Sequence, residues 1–437
     1  MSKIEIDSFE PLKVFLEICN IPHASGECES LREWIKNKAL EYGASVTIDS
    51  AGNLLAKKGK PKVCLQGHID MVYVSESESF GIEPYIKDGF LKAKHSSLGA
   101  DNGAALACMI LALRDFDNLE CLFTIDEEIG MIGAKNITLD IESKVMINCD
   151  SEDIDEIVCS CAGGYDLECK IKLEQIEIPS DYKIVEISTN KDRFIGGHSG
   201  IEIHKDIQNA ILSICYVAQK LIDDGGILVG LSGGEKRNSI PTNATLEIAL
   251  RNDYILDIDT SLFEVKNVEF NNMAFVANNL INGLLSVKNG VIDSDDSGVI
   301  LSSNVGILRQ IDDEVYVYIM GRGNKENSMK ENIQNTQEIL GSFGFASNVV
   351  DLYNPWERED SEFLNHVYRV FKIHNNKVKI KSIHAGLECG ILKEKYPNIS
   401  FLSIGPSIFH PHSLGEKMDI ESFRKFWAVL CDILKTI

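Results

Sequence analysis

Three short apolar stretches mark the first third of the chain, at 62–66, 120–125 and 144–148, and each is followed within two residues by histidine or an acid. Such runs, too short for helices and without clean alternation, predict strands buried on both faces, as in a parallel sheet covered by helices. Residues 104–113 are apolar nearly all round and predict a buried helix. From 164 the pattern changes to longer alternating strands and amphipathic helices, one of them expected over 204–221, with glycine pairs at Gly225-Gly226 and Gly233-Gly234. The style of the first third returns after 352, with strands predicted at 377–383 and 399–404. The expected fold class is α/β: a mainly parallel central sheet flanked by helices, plus an inserted α+β domain. The expected divisions are 1–163, 164–352 and 353–437, with the first and last forming one domain.

Composition narrows the partners. Among 437 residues, 43 Lys and Arg stand against 66 Asp and Glu, giving a formal charge of −23. That balance disfavours nucleic acid and anionic membranes, and leaves small substrates and cations. The opening residues Met1-Ser2-Lys3-Ile4-Glu5 form no apolar signal core, and no apolar run is long enough to span a bilayer. The expectation is a cytoplasmic protein whose twelve cysteines are buried free thiols rather than disulfides.

The residues that end the apolar stretches carry the chemistry. Gly67-His68-Ile69-Asp70 places an imidazole and a carboxylate on one face of extended backbone, where Asp70 can fix the ring's tautomer. Asp101 precedes the buried helix and would serve equally as an ordinary N-cap. Asp126-Glu127-Glu128 sets three acids side by side, a solvated turn unless a dication offsets their repulsion; Glu128 can then coordinate and Glu127 act as general base. Asp150 and Glu152 are chemically equivalent ligand candidates, and so are His410 and His412. Two histidines and three carboxylates are donors that Zn²⁺, Co²⁺ or Mn²⁺ accept, and a shared carboxylate can hold two such ions. Ligand sites of open α/β sheets lie beyond the carboxyl ends of the strands, which is where these residues fall. Further polar loop groups are His198 within Gly196-Gly197-His198-Ser199-Gly200, Asn238, Arg322, and Gly386 within His384-Ala385-Gly386-Leu387-Glu388.

Taken together with Cys161-Ala162-Gly163-Gly164 and Pro411-His412-Ser413, these motifs resemble the dinuclear-metal exopeptidases that include peptidase V, carboxypeptidase G and aminoacylase. Within that family they resemble the aminoacyl-histidine dipeptidase (peptidase D) branch, across nearly the whole chain. The resemblance implies a catalytic domain carrying a lid and dimerisation domain at 164–352. It implies two divalent metal ions, Zn²⁺ first, bridged by Asp101, with His68 and Asp150 on one and Glu128 and His412 on the other. It implies Glu127 as general base, Asp70 as the acid that orients the ligand histidine, and His198 as a lid residue that stabilises an oxyanion across a homodimer. Asn238, Arg322 and Gly386 match substrate-side positions. The implied activity is hydrolysis of unblocked dipeptides, Xaa-His among them. The alternatives are an N-acyl amino acid deacylase built on the same centre, or a metal-binding protein without catalysis.

Overall fold

Four strands of nearly unbroken apolar sequence run parallel at the middle of an eight-stranded sheet: Leu119–Thr124, Val63–His68, Val145–Asn148 and Ser400–Ser403, in that order. Val63–His68 and Leu119–Thr124 are buried along their whole length, as strands covered on both faces must be. The computed structural model in which these strands are seen describes residues 9–77, 79–268, 273–295 and 298–437, so the reading of residues 1–5 lies outside it. The sheet is mixed rather than parallel throughout. Ser45–Ile48 pairs antiparallel with Leu54–Lys58, because the tight connection between them leaves no room for a crossover, and Leu54–Lys58 is antiparallel to Leu119–Thr124.

The predicted helix over 104–113 lies inside Ala100–Asp115, whose residues 100–113 are all buried. It packs on the Val63–His68 strand and on the helices Glu10–Ile18 and Glu29–Glu41, which accounts for its lack of a polar face. Gly67 is required where strand and helix meet, since a Cβ there would fall 2.4 Å from Asn102 Oδ1.

By its internal contacts the chain forms two compact units, Met1–Ser160 with Arg358–Ser382 and Leu387–Ile437, and Cys161–Glu357 with Ile383–Gly386. The expected divisions at 163/164 and 352/353 differ from these by a few residues, and 383–386 joins the second unit. Hydrogen bonding supplies the reason: Ala162 N donates to Ile383 O at 3.0 Å, and His384 is bonded to Ser302 and Asn324 at 2.8 and 3.2 Å.

The second unit is built on an eleven-stranded sheet whose described pairings are antiparallel. Alternate residues of its strands, such as Leu167, Ile187, Leu246 and Val317, join one face of Ala210–Asp223 in the core. The helix expected over 204–221 begins later than predicted. Ile203–Lys205 is a separate 3₁₀ turn ended by Asp206 at φ +53°, and Asn209 caps Ala210–Asp223 by accepting from Leu212 N. All twelve cysteines are free thiols, and among the described residues no helix is long and apolar enough to cross a membrane.

One buried carboxylate fixes the turn that leads into Ala100–Asp115. Glu416 accepts from the backbone amides of Leu98 at 2.7 Å, Gly99 at 3.0 Å and Ala100 at 2.8 Å. Its removal leaves buried donors unpaired, so Glu416→Ala is expected to destabilise the protein by about 3 kcal/mol. Urea unfolding measures this, and a wild-type midpoint at unchanged slope would show that the turn stands without its cap.

Candidate metal centre

Because the four central strands are parallel, their carboxyl ends lie on one edge of the sheet, and each sends a candidate donor there. His68 is the last residue of its strand, Glu127 and Glu128 follow Leu119–Thr124, and Asp150 follows Val145–Asn148. Ser400–Ser403 feeds the loop that reaches His412, and Asp101 stands at the start of Ala100–Asp115. That last loop leaves its strand tightly against the Asp150 segment: a Cβ on Gly405 would fall 1.7 Å from Ser151 O.

Asp101 occupies the middle of the group. Its Oδ1 lies 3.2 Å from His68 Nε2 and its Oδ2 lies 3.1 Å from His412 Nε2. Asp150 Oδ1 is 3.3 Å from His68 Nε2 on the first side, and Glu128 Oε1 is 2.7 Å from His412 Nε2 on the second. The donor atoms of His68, Asp101 and Asp150 lie within 4.8 Å of one another, as do those of Asp101, Glu128 and His412, and those of His68, Glu127 and Glu128. Glu152 and His410, the equivalent candidates by sequence, join none of these three groups.

The charges explain what such a cluster is suited to hold. Burial opposes charge on both rings, but Asp150 and Asp101 beside His68, and Asp101 and Glu128 beside His412, raise both well above the ordinary imidazole value, His412 to about 11. Burial lifts Asp150 to about 6 even with His68 beside it. Glu127 is lifted far above the usual carboxylate range by burial, opposed by His68 and reinforced by Asp150 and Glu128. Four carboxylates thus share two imidazoles, an excess of desolvated negative charge that divalent cations would balance. Oxygen and imidazole nitrogen are donors such ions accept, so the residues fit the metal that the sequence implies. The cysteines do not compete, since burial holds Cys64, Cys121 and Cys149 as neutral thiols.

Buried polar groups fix the donors from behind. His68 Nδ1 donates to the main-chain carbonyl of Asp70 at 2.8 Å, which leaves Nε2 to face Asp101 and Asp150. The Asp70 carboxylate, expected to orient that ring, stands 3.7 Å from Nδ1, beyond a good hydrogen bond. Its oxygens accept instead from Glu127 N at 3.0 Å, Glu128 N at 3.3 Å and Ser25 Oγ at 2.8 Å. Asn102 donates to Asp150 Oδ1 at 2.6 Å and to Cys149 O at 3.1 Å. Deeper in the sheet, Glu388 Oε2 accepts from Gln66 at 2.6 Å and Thr124 at 2.7 Å, and Asn148 donates to Gln66 Oε1 at 2.6 Å, which joins three donor-bearing strands. Burial lifts Glu388 to about 7.

The remaining candidates, His198, Asn238, Arg322 and Gly386, belong to the second unit. Gly200 N and Ile201 N both donate to His198 Nδ1 at 3.1 Å, so the neutral ring carries its proton on Nε2. Asn238 is exposed and its carbonyl accepts from Ser199 N at 2.9 Å, which ties it to the same turn. Arg322 is buried, 5% exposed, and donates to Tyr353 Oη at 3.0 Å. Gly386 is half-buried at the end of the 383–386 segment. His384, two residues before it, is pushed down to about 4 by burial and the Arg322 charge, so it is neutral.

Sequence reasoning overlooked Ser25, Asn102 and Glu416. Asn102 and Glu416 were each within four residues of a candidate donor, which was the available signal. Ser25 had none beyond a small polar turn after an amphipathic helix.

Comparison with known proteins identifies the family. Residues 64–436 match the model of Peptidase family M20/M25/M40. The chain is 32% identical to the cytosol non-specific dipeptidase of Escherichia coli K12, over all of this chain and 99% of that protein. The crystal structure of aminoacylhistidine dipeptidase from Vibrio alginolyticus superposes with a TM-score of 0.81 at 30% identity, covering 98% of this chain and 96% of that one. A tripeptidase from Staphylococcus aureus shares the fold, with a TM-score of 0.64 at 18% identity over 98% of this chain and 97% of that one. With the family model spanning most of the sequence and a full-length relative above 30% identity, the chain belongs to peptidase family M20/M25/M40.

Proposed function

We infer that this protein is a cytosolic metallo-dipeptidase that cleaves unblocked dipeptides, Xaa-His among them, at a centre of two divalent cations, Zn²⁺ by donor preference. The observation that carries the reading is the division of Asp101, with one oxygen toward His68 and the other toward His412, as a carboxylate shared between two ions requires. His68 and Asp150 would hold one cation, Glu128 and His412 the other. Full-length similarity to proteins described as a cytosol non-specific dipeptidase and an aminoacylhistidine dipeptidase supports the choice of substrate.

Divalent cations bound by these donors supply Lewis acidity, which polarises a peptide carbonyl and brings the pKa of a water toward neutrality. Glu127, whose donor atom clusters with those of His68 and Glu128, takes a proton from that water at its carboxylate. The water oxygen bonds to the carbonyl carbon, the carbon–nitrogen bond breaks, and Glu127 passes its proton to the departing amine. Burial raises the Glu127 carboxyl above the usual carboxylate range, which strengthens it as a proton acceptor. His198, with its proton on Nε2, is the proposed donor to the oxyanion, supplied by a second copy of the chain in a homodimer. The Arg322 guanidinium suits the substrate carboxylate, and Asn238 and Gly386 are the other proposed substrate-side positions.

Glu127→Ala is expected to keep its metal and lose at least about a hundredfold in turnover. The assay is amino acid release from a dipeptide panel that includes β-alanyl-histidine, other Xaa-His pairs and Xaa-Xaa pairs, with metal-loaded and chelated protein side by side. Wild-type turnover in the variant would remove Glu127 from the reaction, and release of acyl acids without any dipeptide cleavage would select the deacylase.

Metal binding has its own pH signature. His412 and His68 hold protons through neutrality when no cation competes, so loading must release those protons and affinity must rise with pH. Zn²⁺ affinity is expected to climb about tenfold per pH unit for each proton released, between about pH 6 and 8. Calorimetry in buffers of different ionisation enthalpy counts the protons, and a count of zero would show that both rings are already neutral before the metal binds.

A further inference from the structure

The loop 23–26 precedes the region matched by the family model, yet it reaches the loop that carries Glu127 and Glu128. Met71 N donates to His23 O at 3.1 Å and Ser25 N to Met71 O at 3.2 Å, so Ala24 and Met71 form a parallel bridge beside Asp70. Ser25 Oγ then donates to Asp70 Oδ2 at 2.8 Å, and Asp70 accepts the amides of Glu127 and Glu128. The next residue makes a second tie, with Gly26 N donating to Asp126 Oδ1 at 2.7 Å.

Asp70 has two possible uses. Its carboxylate can hold the Glu127 and Glu128 amides, or it can swing toward His68 Nδ1, 3.7 Å away. The terminal torsion of an aspartate is broad, so donors rather than rotamer preference fix its orientation. Ser25 supplies a donor to the oxygen that makes the longer amide contact, 3.3 Å to Glu128 N. The Ser25 hydroxyl also lies 3.4 Å from Met71 O, a contact that would close the turn but is weaker than the charge-assisted bond to Asp70.

We propose that Ser25 is a positioning residue for the reaction: through Asp70, and together with the Gly26 amide on Asp126, it clamps the 126–128 backbone so that Glu127 and Glu128 are held at the centre. The kinetic part rests on the reading of Glu127 as general base, whereas the clamp itself does not.

The test compares full-length wild type with Ser25→Ala, Ser25→Thr and Glu127→Gln. Hydrogen–deuterium exchange is followed at 126–131 and at 98–100, and kcat and KM are measured on a dipeptide with Zn²⁺-loaded protein. In Ser25→Ala, exchange at 126–131 should rise about tenfold while 98–100, held by Glu416, stays at the wild-type rate. Its kcat should fall about tenfold to a hundredfold with KM within about twofold, the scale of a small misplacement of a reacting group. Ser25 is half-buried, and Ser25→Thr keeps the hydroxyl and should return both readouts to within about threefold of wild type. If Ser25→Ala does not fold, Ser25→Cys, of similar size with a weaker donor, makes the same comparison. Unchanged exchange at 126–131, a rise spread equally to 98–100, or failure of threonine to rescue would each overturn the proposal. Wild-type turnover in Glu127→Gln would sink the general-base reading, and the exchange rates would then decide the clamp alone.

Discussion

Like charges brought together out of water repel, and that repulsion is the constraint around which the first unit is organised. Asp101, Glu127, Glu128 and Asp150 are gathered at one edge of the sheet, with His68 and His412 among the described residues to offset them. Burial holds the carboxyl groups of Glu127, Glu128 and Asp150 above their ordinary range, while the flanking acids raise both histidines. Asp101 lies at the other extreme: burial works against its charge, yet hydrogen bonds from His412 and His68 hold it well below that range. An arrangement so unfavourable without cations persists because rigid backbone imposes it. Parallel strands deliver the side chains, and a densely packed sheet does not let them separate.

The rigidity is reinforced at each donor by a different device. A carbonyl holds His68, an amide side chain holds Asp150, and a buried carboxylate caps the turn before Asp101. Glu388, Gln66, Thr124 and Asn148 tie the strands below them, so neighbouring donors rest on one hydrogen-bonded layer. Asp70 shows how position outweighs residue type. Its spacing from His68 suggested a carboxylate grip on the ring; the Asp70 carbonyl accepts from Nδ1, the carboxylate stands 3.7 Å from that nitrogen, and its oxygens also serve the Glu127–Glu128 amides.

In the second unit hydrogen bonds set the states of His198 and His384. Two backbone donors onto Nδ1 set the tautomer of His198, and His384 stays neutral between Ser302 and Asn324 beside the Arg322 charge. A proton-bearing Nε2 and a buried guanidinium are both hydrogen-bond donors.

The sequence alone determined the elements and the inventory of donors. Continuous apolar stretches announced the buried strands at 62–66, 120–125 and 144–148, and helix 104–113 was legible because burial on all sides leaves no polar stripe. His68, Glu128 and Asp150 were legible because each lies at or within a few residues beyond the end of such a strand. Spacing could not choose between Asp150 and Glu152 or between His410 and His412, because each pair offers the same chemistry within two residues; only the direction each backbone takes beyond its strand separates them. The split of Asp101 between two histidines, the redirection of Asp70, and the reach of Ser25 across 45 residues to Asp70 belong to tertiary structure. Hydrogen bonds between distant segments leave no periodicity in the chain, so nothing local in the sequence records them.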